Sequence, residues 1–478
     1  MIDNKEIKVC TTFARARAVV LCVASSGNAI AADVTVMVAA DAVTTANASP
    51  PVSATSDGTD TNRYWPQLVG AQYTWVRQHQ SSLAASYSGP LSLNPAGDIA
   101  ASHTVGAYFG WRLTDALQAY FDLEKFMGSG VSGSTGLAGL TNGDVVRQGG
   151  NNLKKRPYVA RRYLRYVVPL SNETAEVEHA MDQMAGKEAT TRLEFKAGTL
   201  ALSDDFDKNR YANSTRTQFM NWSLWNNGAW DFGADTRGYT NGIVAGYISP
   251  KWSLKAGIHE MPSEANGQDL DAPVRKARSQ NVELIFSPVD GGAVVRLLAY
   301  RNLARMGVYR DAITAAAVVR NMPDIRTQDR DGRKKTGFGF NVEQPFADDG
   351  ETGLFLRAGW NDGRTESFAF TEIDHTITLG GQLSGAHWGR GDDRLAIAFA
   401  SNGLSRDHRD YLNSGGSGFV LGDGGLRYGR EQIIEAYYRA AILKHVQLSP
   451  DAQYIRNPGM NRDRGPVTFV GFRLHFEY

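Results

Sequence analysis

The stretch richest in chemistry runs from Asp204 to Tyr239 and reads D-D-F-D-K-N-R-Y-A-N-S-T-R-T-Q-F-M-N-W-S-L-W-N-N-G-A-W-D-F-G-A-D-T-R-G-Y. It sets Asp204, Asp205, Asp207, Lys208, Arg210, Arg216, Asp235 and Arg237 among Trp222, Trp225, Trp230 and Tyr239. Planar aromatics pack against the apolar faces of sugar rings, while charged and amide groups hydrogen-bond the hydroxyls at their edges. A segment of this kind folded into a pore would narrow it and favour sugars. The same residue types also suit a self-packed surface loop pinned by its tryptophans, and the two readings are compatible because a constriction loop must itself be anchored.

Other reactive-looking patterns lead nowhere. Asp205-x-Asp207-x-Asn209 begins like a calcium loop, but Arg210 stands where the turn glycine belongs and Arg216 where the closing glutamate belongs. Gly128-x-Gly130-x-x-Gly133 has dinucleotide-fingerprint spacing inside a Gly/Ser loop with no helical pattern behind it. The nine histidines form no H-E-x-x-H pair, and Asp407-His-Arg-Asp410 reads as a solvated charge cluster. There is no G-x-S-x-G nucleophile signature. No catalytic residue, metal site or cofactor is expected.

The chain has 478 residues and a formal net charge of +1, which gives no support for nucleic acid as a partner. No apolar run is long enough for a membrane-spanning helix. Fifty glycines and a 10% aromatic share point instead toward turns, strands and membrane interfaces. Lys5, Lys8, Arg15 and Arg17, then the apolar run Ala18–Ala24 and Ala29-Ile-Ala31, read as a cleaved export signal over residues 1–31, with Val38-Ala39-Ala40 as a later alternative cut. Cys10 and Cys22 both lie in it, so the mature chain would carry neither disulfides nor thiolate metal sites. Residues 32–66 read as a flexible lead.

The elements that must position the loop alternate with period two. Val105, Ala107, Phe109, Trp111 and Leu113 oppose Thr104, Tyr108 and Arg112; Leu117, Ala119, Phe121 and Leu123 oppose Gln118, Asp122 and Glu124. Leu354, Leu356, Ala358 and Trp360 oppose Arg357 and Asn361; Ile434, Ala436 and Tyr438 oppose Glu435 and Arg439. A soluble sandwich and a transmembrane barrel share this alternation. The connections separate them. Strands are expected near 68–77, 103–113, 116–125, 157–168, 191–199, 240–248, 251–260, 278–287, 292–302, 335–344, 352–361, 374–386, 393–401, 429–442, 445–456 and 466–478. The gaps after odd strands are mostly long and those after even strands mostly tight, as at Thr114-Asp115, Ser249-Pro250 and Leu443-Lys444. The exception is 169–190, with the charged, helix-like E-V-E-H-A-M-D-Q-M-A. Long loops on one rim and short turns on the other define an outer-membrane barrel. The expected fold is therefore all-β: a transmembrane antiparallel β-barrel of about 16 strands over 67–478, with long extracellular loops, short periplasmic turns and an inward-folded loop at 200–239. Arg112, Glu124, Arg357 and Arg439 would line the lumen. In the final strand Val470, Phe472, Leu474, Phe476 and Tyr478 would face lipid, with Arg473, His475 and Glu477 inside.

Several ordered segments carry a family likeness. They are Tyr87-Ser-Gly-Pro90, Asn209 to Trp222, Asn227 to Thr240, Phe399 to Leu412, Leu421 to Glu431 and Asp451 to Gly459. With these the chain resembles the carbohydrate-selective outer-membrane porins of the OprB type. The resemblance implies a sixteen-stranded barrel and passive, selective diffusion of sugars such as glucose, with no enzymatic step; a general diffusion porin is the alternative. It implies carbohydrate solutes, outer-membrane lipid and the barrel-assembly machinery as partners, with a homo-oligomer admissible.

Overall fold

The computed structural model describes residues 65–144, 156–369 and 371–478. The expected signal segment and nearly all of the lead lie outside them. The strands in chain order are β1 (Leu68–Gln80), β2 (Asp98–Arg112), β3 (Leu117–Gly128), β4 (Tyr158–Pro169), β5 (Thr174–Val177), β6 (Gly186–Ala189), β7 (Arg192–Leu200), β8 (Thr240–Ile248) and β9 (Trp252–His259). They continue with β10 (Arg278–Phe286), β11 (Val294–Met306), β12 (Arg330–Ala347), β13 (Thr352–Asn361), β14 (His375–Ser384), β15 (Arg394–Gly403), β16 (Glu431–Leu443), β17 (Val446–Arg456) and β18 (Val467–Glu477). The helices are α1 (Trp222–Trp225), α2 (Tyr309–Val319) and α3 (Arg406–Asn413).

Sixteen of these strands close into one antiparallel barrel, each paired with its neighbours in sequence and β1 paired with β18. The closing seam sets Tyr73 opposite Phe476 and Trp75 opposite Leu474. Closure leaves no strand edge unpaired, which a hydrocarbon environment demands. Alternation decides the register. A slip of one residue in β18 would turn Arg473 toward lipid, at about 2–4 kcal/mol near mid-membrane. In the observed register Arg473 and His475 are buried inside, while Val470, Phe472 and Tyr478 are exposed outside.

All sixteen expected strands are present. Several run further than their apolar alternation: β12 spans Arg330–Ala347 rather than 335–344. Its first residues are charged on both faces, so the ladder continues there after the amphipathic signal has ended. The stretch expected to be helix-like within 169–190, Glu176 to Ala185, is instead the end of β5 and its connection to β6, and the two strands form a hairpin. Its charges are used in pairing, not on a helix face: Arg165 of β4 meets Glu188 at 2.5 Å.

The rim where β1 begins and β18 ends carries the short turns, which makes it the periplasmic one. Aromatic pairs mark its lipid interface, with Tyr247 against Trp252 at 4.7 Å and Trp388 donating its indole N–H to the Tyr438 hydroxyl at 3.1 Å. The long connections gather at the opposite rim, where α2 and α3 pack together.

Candidate functional site

The connection between β7 and β8, residues 201–239, lies inside the barrel and is held mainly through its backbone. Met220 and Asn221 donate their N–H groups to Glu435 of β16, at 2.5 and 2.9 Å. Asp207 and Arg210 donate theirs to Glu283 of β10 and Glu343 of β12, both at 2.7 Å. Arg357 of β13 donates to the carbonyls of Asp207 and Leu224 at 2.8 and 3.0 Å and ion-pairs with the Asp207 carboxylate at 3.1 Å. Arg473 of β18 donates to the carbonyls of Thr215 and Gln218 at 2.8 and 2.6 Å. Tyr300 of β11 and Asn361 of β13 both donate to the Ala229 carbonyl. Alternation put these polar residues inside, and burial then required partners for them.

The loop descends far. Arg210 reaches the Asp349 carbonyl at 3.3 Å and the Tyr211 hydroxyl donates to the Gly350 carbonyl at 2.8 Å, both in the turn after β12 on the periplasmic rim. The wall is thinned to admit it. A Cβ on Gly359 would stand 2.0 Å from Asn227 Oδ1, and one on Gly353 would stand 2.1 Å from the Tyr211 hydroxyl.

The loop tryptophans are inside its own packing. Trp222 and Trp230 are 4% and 0% exposed; Trp225 is half-buried. Trp222 meets Trp225 edge-on at 4.9 Å and stacks on Phe232 at 6.0 Å, and Trp230 meets Phe232 at 4.8 Å. The Trp230 indole donates to Asn281 of β10 at 3.0 Å. Asn221 caps α1 by accepting from Ser223 N–H. These rings give the loop a fixed shape, with Phe206, Met261 and Ile373 in the same apolar cluster.

Facing the loop, β3, β4, β7 and β9 present charged side chains. Arg161 of β4 forms a bidentate pair with Asp204, at 2.7 and 2.9 Å, and also meets Asp122 at 3.4 Å. From the periplasmic side the connection between β5 and β6 enters the lumen and brings Asp182 to 3.3 Å from the same guanidinium. Lys196 of β7 and Lys255 of β9 converge on Asp205 at 2.7 and 3.7 Å. Lys208 is exposed to this space.

Glu124 of β3 is the hub of the neighbouring polar contacts. It accepts from Tyr108 at 3.0 Å, Tyr158 at 3.2 Å, Arg216 at 2.9 Å and from the Tyr239 hydroxyl. Arg216 also holds Asp144 at 2.9 Å. Tyr158 and Tyr239 lie 5.9 Å apart, Arg237 sits over the Tyr158 ring at 4.9 Å and Arg161 near the Tyr239 ring at 5.5 Å. Asp235 turns the chain here by accepting from the N–H groups of Arg237 and Tyr239.

Of the residues singled out in the sequence, Glu124, Asp205, Arg216, Asp235 and Arg237 thus fall in one charged and aromatic cluster between the loop and the wall, with Asp207 and Arg357 behind it as the loop's anchor. Arg112 is elsewhere, at the periplasmic rim, donating to the Ala185 carbonyl at 3.3 Å. Arg439 faces inward near the same rim, opposite Arg394 in the ladder. The residues not singled out are Arg161, Tyr158, Asp182 and Lys255. For Arg161 a signal was present in Y-V-A-R-R-Y-L-R-Y, where Arg161, Tyr163 and Arg165 alternate with Arg162, Leu164 and Tyr166.

A closed sixteen-stranded barrel with an apolar outer band, a charged lumen and a loop bolted across it is an outer-membrane porin. The model of the OprB family, the carbohydrate-selective porins, matches residues 111–478. The chain belongs to that family, and is a sugar-selective porin of the outer membrane. Among solved structures it is similar to OprB of Pseudomonas putida, determined at high pH, with a TM-score of 0.60 and 15% identity over 86% of this chain and 94% of that one. It is also similar to the DcaP channel of Acinetobacter baumannii, with a TM-score of 0.46 and 10% identity over 86% and 96%. An anion-selective porin from Comamonas acidovorans gives 0.45 and 9% over 86% and 100%. No curated protein matches the chain in sequence.

Proposed function

We propose that the barrel selects single sugar rings such as glucose, for passive diffusion without a chemical step, in the passage between the inserted loop and β3–β9. Asp204, Asp205, Lys208, Arg216, Asp235 and Arg237 of the loop, with Glu124, Arg161 and Lys255 of the wall, would exchange hydrogen bonds with the hydroxyls. Tyr158 and Tyr239 would meet the ring faces. Trp222, Trp225 and Trp230 would act by holding the loop in shape, with Asp207, Arg210 and Arg357 as its mounts and Arg112 and Arg439 at the periplasmic exit. The observation that carries this reading is the pairing of charges along the passage, notably Arg161 between Asp204, Asp122 and Asp182. Paired charges offer dense donors and acceptors with little net field. That suits a neutral polyol better than a small ion. Export through a cleaved signal segment and assembly into a homo-oligomer complete the reading.

Sugar block of single-channel current tests it. Across a panel of mono- and oligosaccharides, the reading expects block by monosaccharides and faster liposome swelling for sugars than for amino acids of similar size. Equal swelling rates and no block would leave only a general sieve.

A further inference from the structure

Beyond sugar passage, we propose that the outer face of β16 and β17 binds the phosphorylated headgroup of an outer-leaflet glycolipid, in a built arginine pocket. The pocket measures about 670 Å³ and is lined by Arg427, Arg430, Gln432, Arg456 and Arg462, with the edge of Arg464 behind them.

Three observations place it on the lipid side at headgroup height. Gln432 is paired with Arg456 in the ladder, and one step below them stand Ile434 and Tyr454, exposed on the apolar band. Gln432 and Ile434 share the outward face of β16, as Tyr454 and Arg456 share that of β17. The remaining lining residues belong to the connections on the long-loop rim, the one that faces outward from the cell. The pocket therefore begins where the apolar band stops.

Its charge is only partly compensated. Arg427 is paired with Asp463 at 2.7 Å, and Arg464 faces Asp423 at 3.5 Å. Among the described residues no carboxylate lies within ion-pair distance of Arg430, Arg456 or Arg462. Arg430 is fixed in place, its guanidinium donating to the Ser401 hydroxyl at 2.7 Å and to the Ser401 carbonyl at 2.5 Å. The stem of Arg462 packs over Gly429, where a Cβ would come within 2.6 Å. Two of the three cations are thus held by the fold and still lack a counterion. Guanidinium groups suit phosphate oxygens through paired N–H donors. Cations beside a bilayer gain from anionic lipid, and their alkyl stems can lie along its chains. A second copy of the chain would have to bring its own acidic patch to meet them, whereas the leaflet supplies phosphate at this height.

The test uses the full barrel in mild detergent. Binding of bisphosphorylated lipid A is compared with its dephosphorylated form and with inorganic phosphate, by native mass spectrometry, for the parent and for R430Q/R456Q/R462Q. The proposal expects retention of the phosphorylated lipid, loss of at least tenfold in the triple variant, and weak retention of the dephosphorylated form. Heat-shifted gel mobility and sugar block should be unchanged, showing an intact barrel. A smaller set, R456Q alone, should give an intermediate loss. Equal lipid retention by parent and triple variant would overturn the proposal. So would retention of inorganic phosphate that matches the lipid, which marks a free-anion site, or a change of oligomeric state without a change in lipid binding, which marks an interface between copies.

Discussion

Replacing Arg357 by Met should release the inserted loop while leaving the barrel closed. The Arg357 side chain is fully buried, and it serves the Asp207 carboxylate and the carbonyls of Asp207 and Leu224 together. Methionine fills comparable volume but donates nothing. Breaking a buried ion pair by removing one partner costs about 3–5 kcal/mol, because the other charge stays buried and unpaired. At about 1.4 kcal/mol per tenfold, the undocked fraction of the loop should rise by roughly two to three and a half orders of magnitude. Asp207 still accepts from Asn227 N–H and Asn341, which keeps the cost toward the lower figure. The ladder bonds of β13 to β12 and β14 are untouched, so the barrel should keep its heat-shifted mobility. Single-channel recording should show larger, noisier conductance and weaker sugar block, and protease should cut between 201 and 239. The double variant R357M/D207N should recover part of the loss, since no unpaired charge is left. A quiet, sugar-blocked channel in R357M would refute the assignment of Arg357 as the loop's anchor.

Three further outcomes follow from the same geometry. Lys208→Glu replaces a positive charge by a negative one, a net change of −2 in charge, and should shift the reversal potential toward cation preference, the shift shrinking in 1 M salt where screening acts within about 3 Å; an unchanged reversal potential would place Lys208 off the conducting path. Tyr239→Ala should weaken sugar block more than Tyr239→Phe, which keeps the ring and loses only its bond to Glu124; equal block in both would show that the ring face is not used. His408 of α3 is buried between Asp374 at 3.1 Å and Glu372 at 3.7 Å. Burial alone would lower its pKa, but Asp374 and then Glu372 hold it at about 9. Since this value is above that of an unfolded histidine, its contribution is complete below about pH 6.5 and is lost as pH rises through about 9. Protease sensitivity of the 404–430 connection should therefore rise across that window in the parent, and be flat in H408Q; a flat parent profile would count against it.

The barrel was legible because its signal is repeated sixteen times and reinforced by loop lengths. Each strand's alternation is weak alone, yet the alternating long and short gaps admit one closed topology. The hairpin at 174–189 was not legible. Val177, Ala180, Met181 and Met184 stand at helical spacing among the charges, so the period points to a helix, while the strand pairing is supported by tertiary contacts such as Arg165 with Glu188. In the loop, residue type told that the tryptophans matter but not which way they face. Direction was decided by Asn281, Asn361 and Tyr300 on the far wall, whose polar groups pull the chain against them. Arg161 was missed because a lumen-facing arginine in one strand gains meaning only when Asp204 and Asp182, far apart in sequence, close on it.

The grip on the inserted loop falls mostly on its amide N–H and carbonyl groups, atoms that every residue type carries. Glu435, Glu283, Glu343, Arg357 and Arg473 would hold the same path for a loop of quite different side chains. The wall and the loop are thereby freed from matching each other residue by residue. On the proposed reading, exchanging the side chains at 204, 208 and 237 is then a way to re-address this barrel to another solute without redesigning its mount.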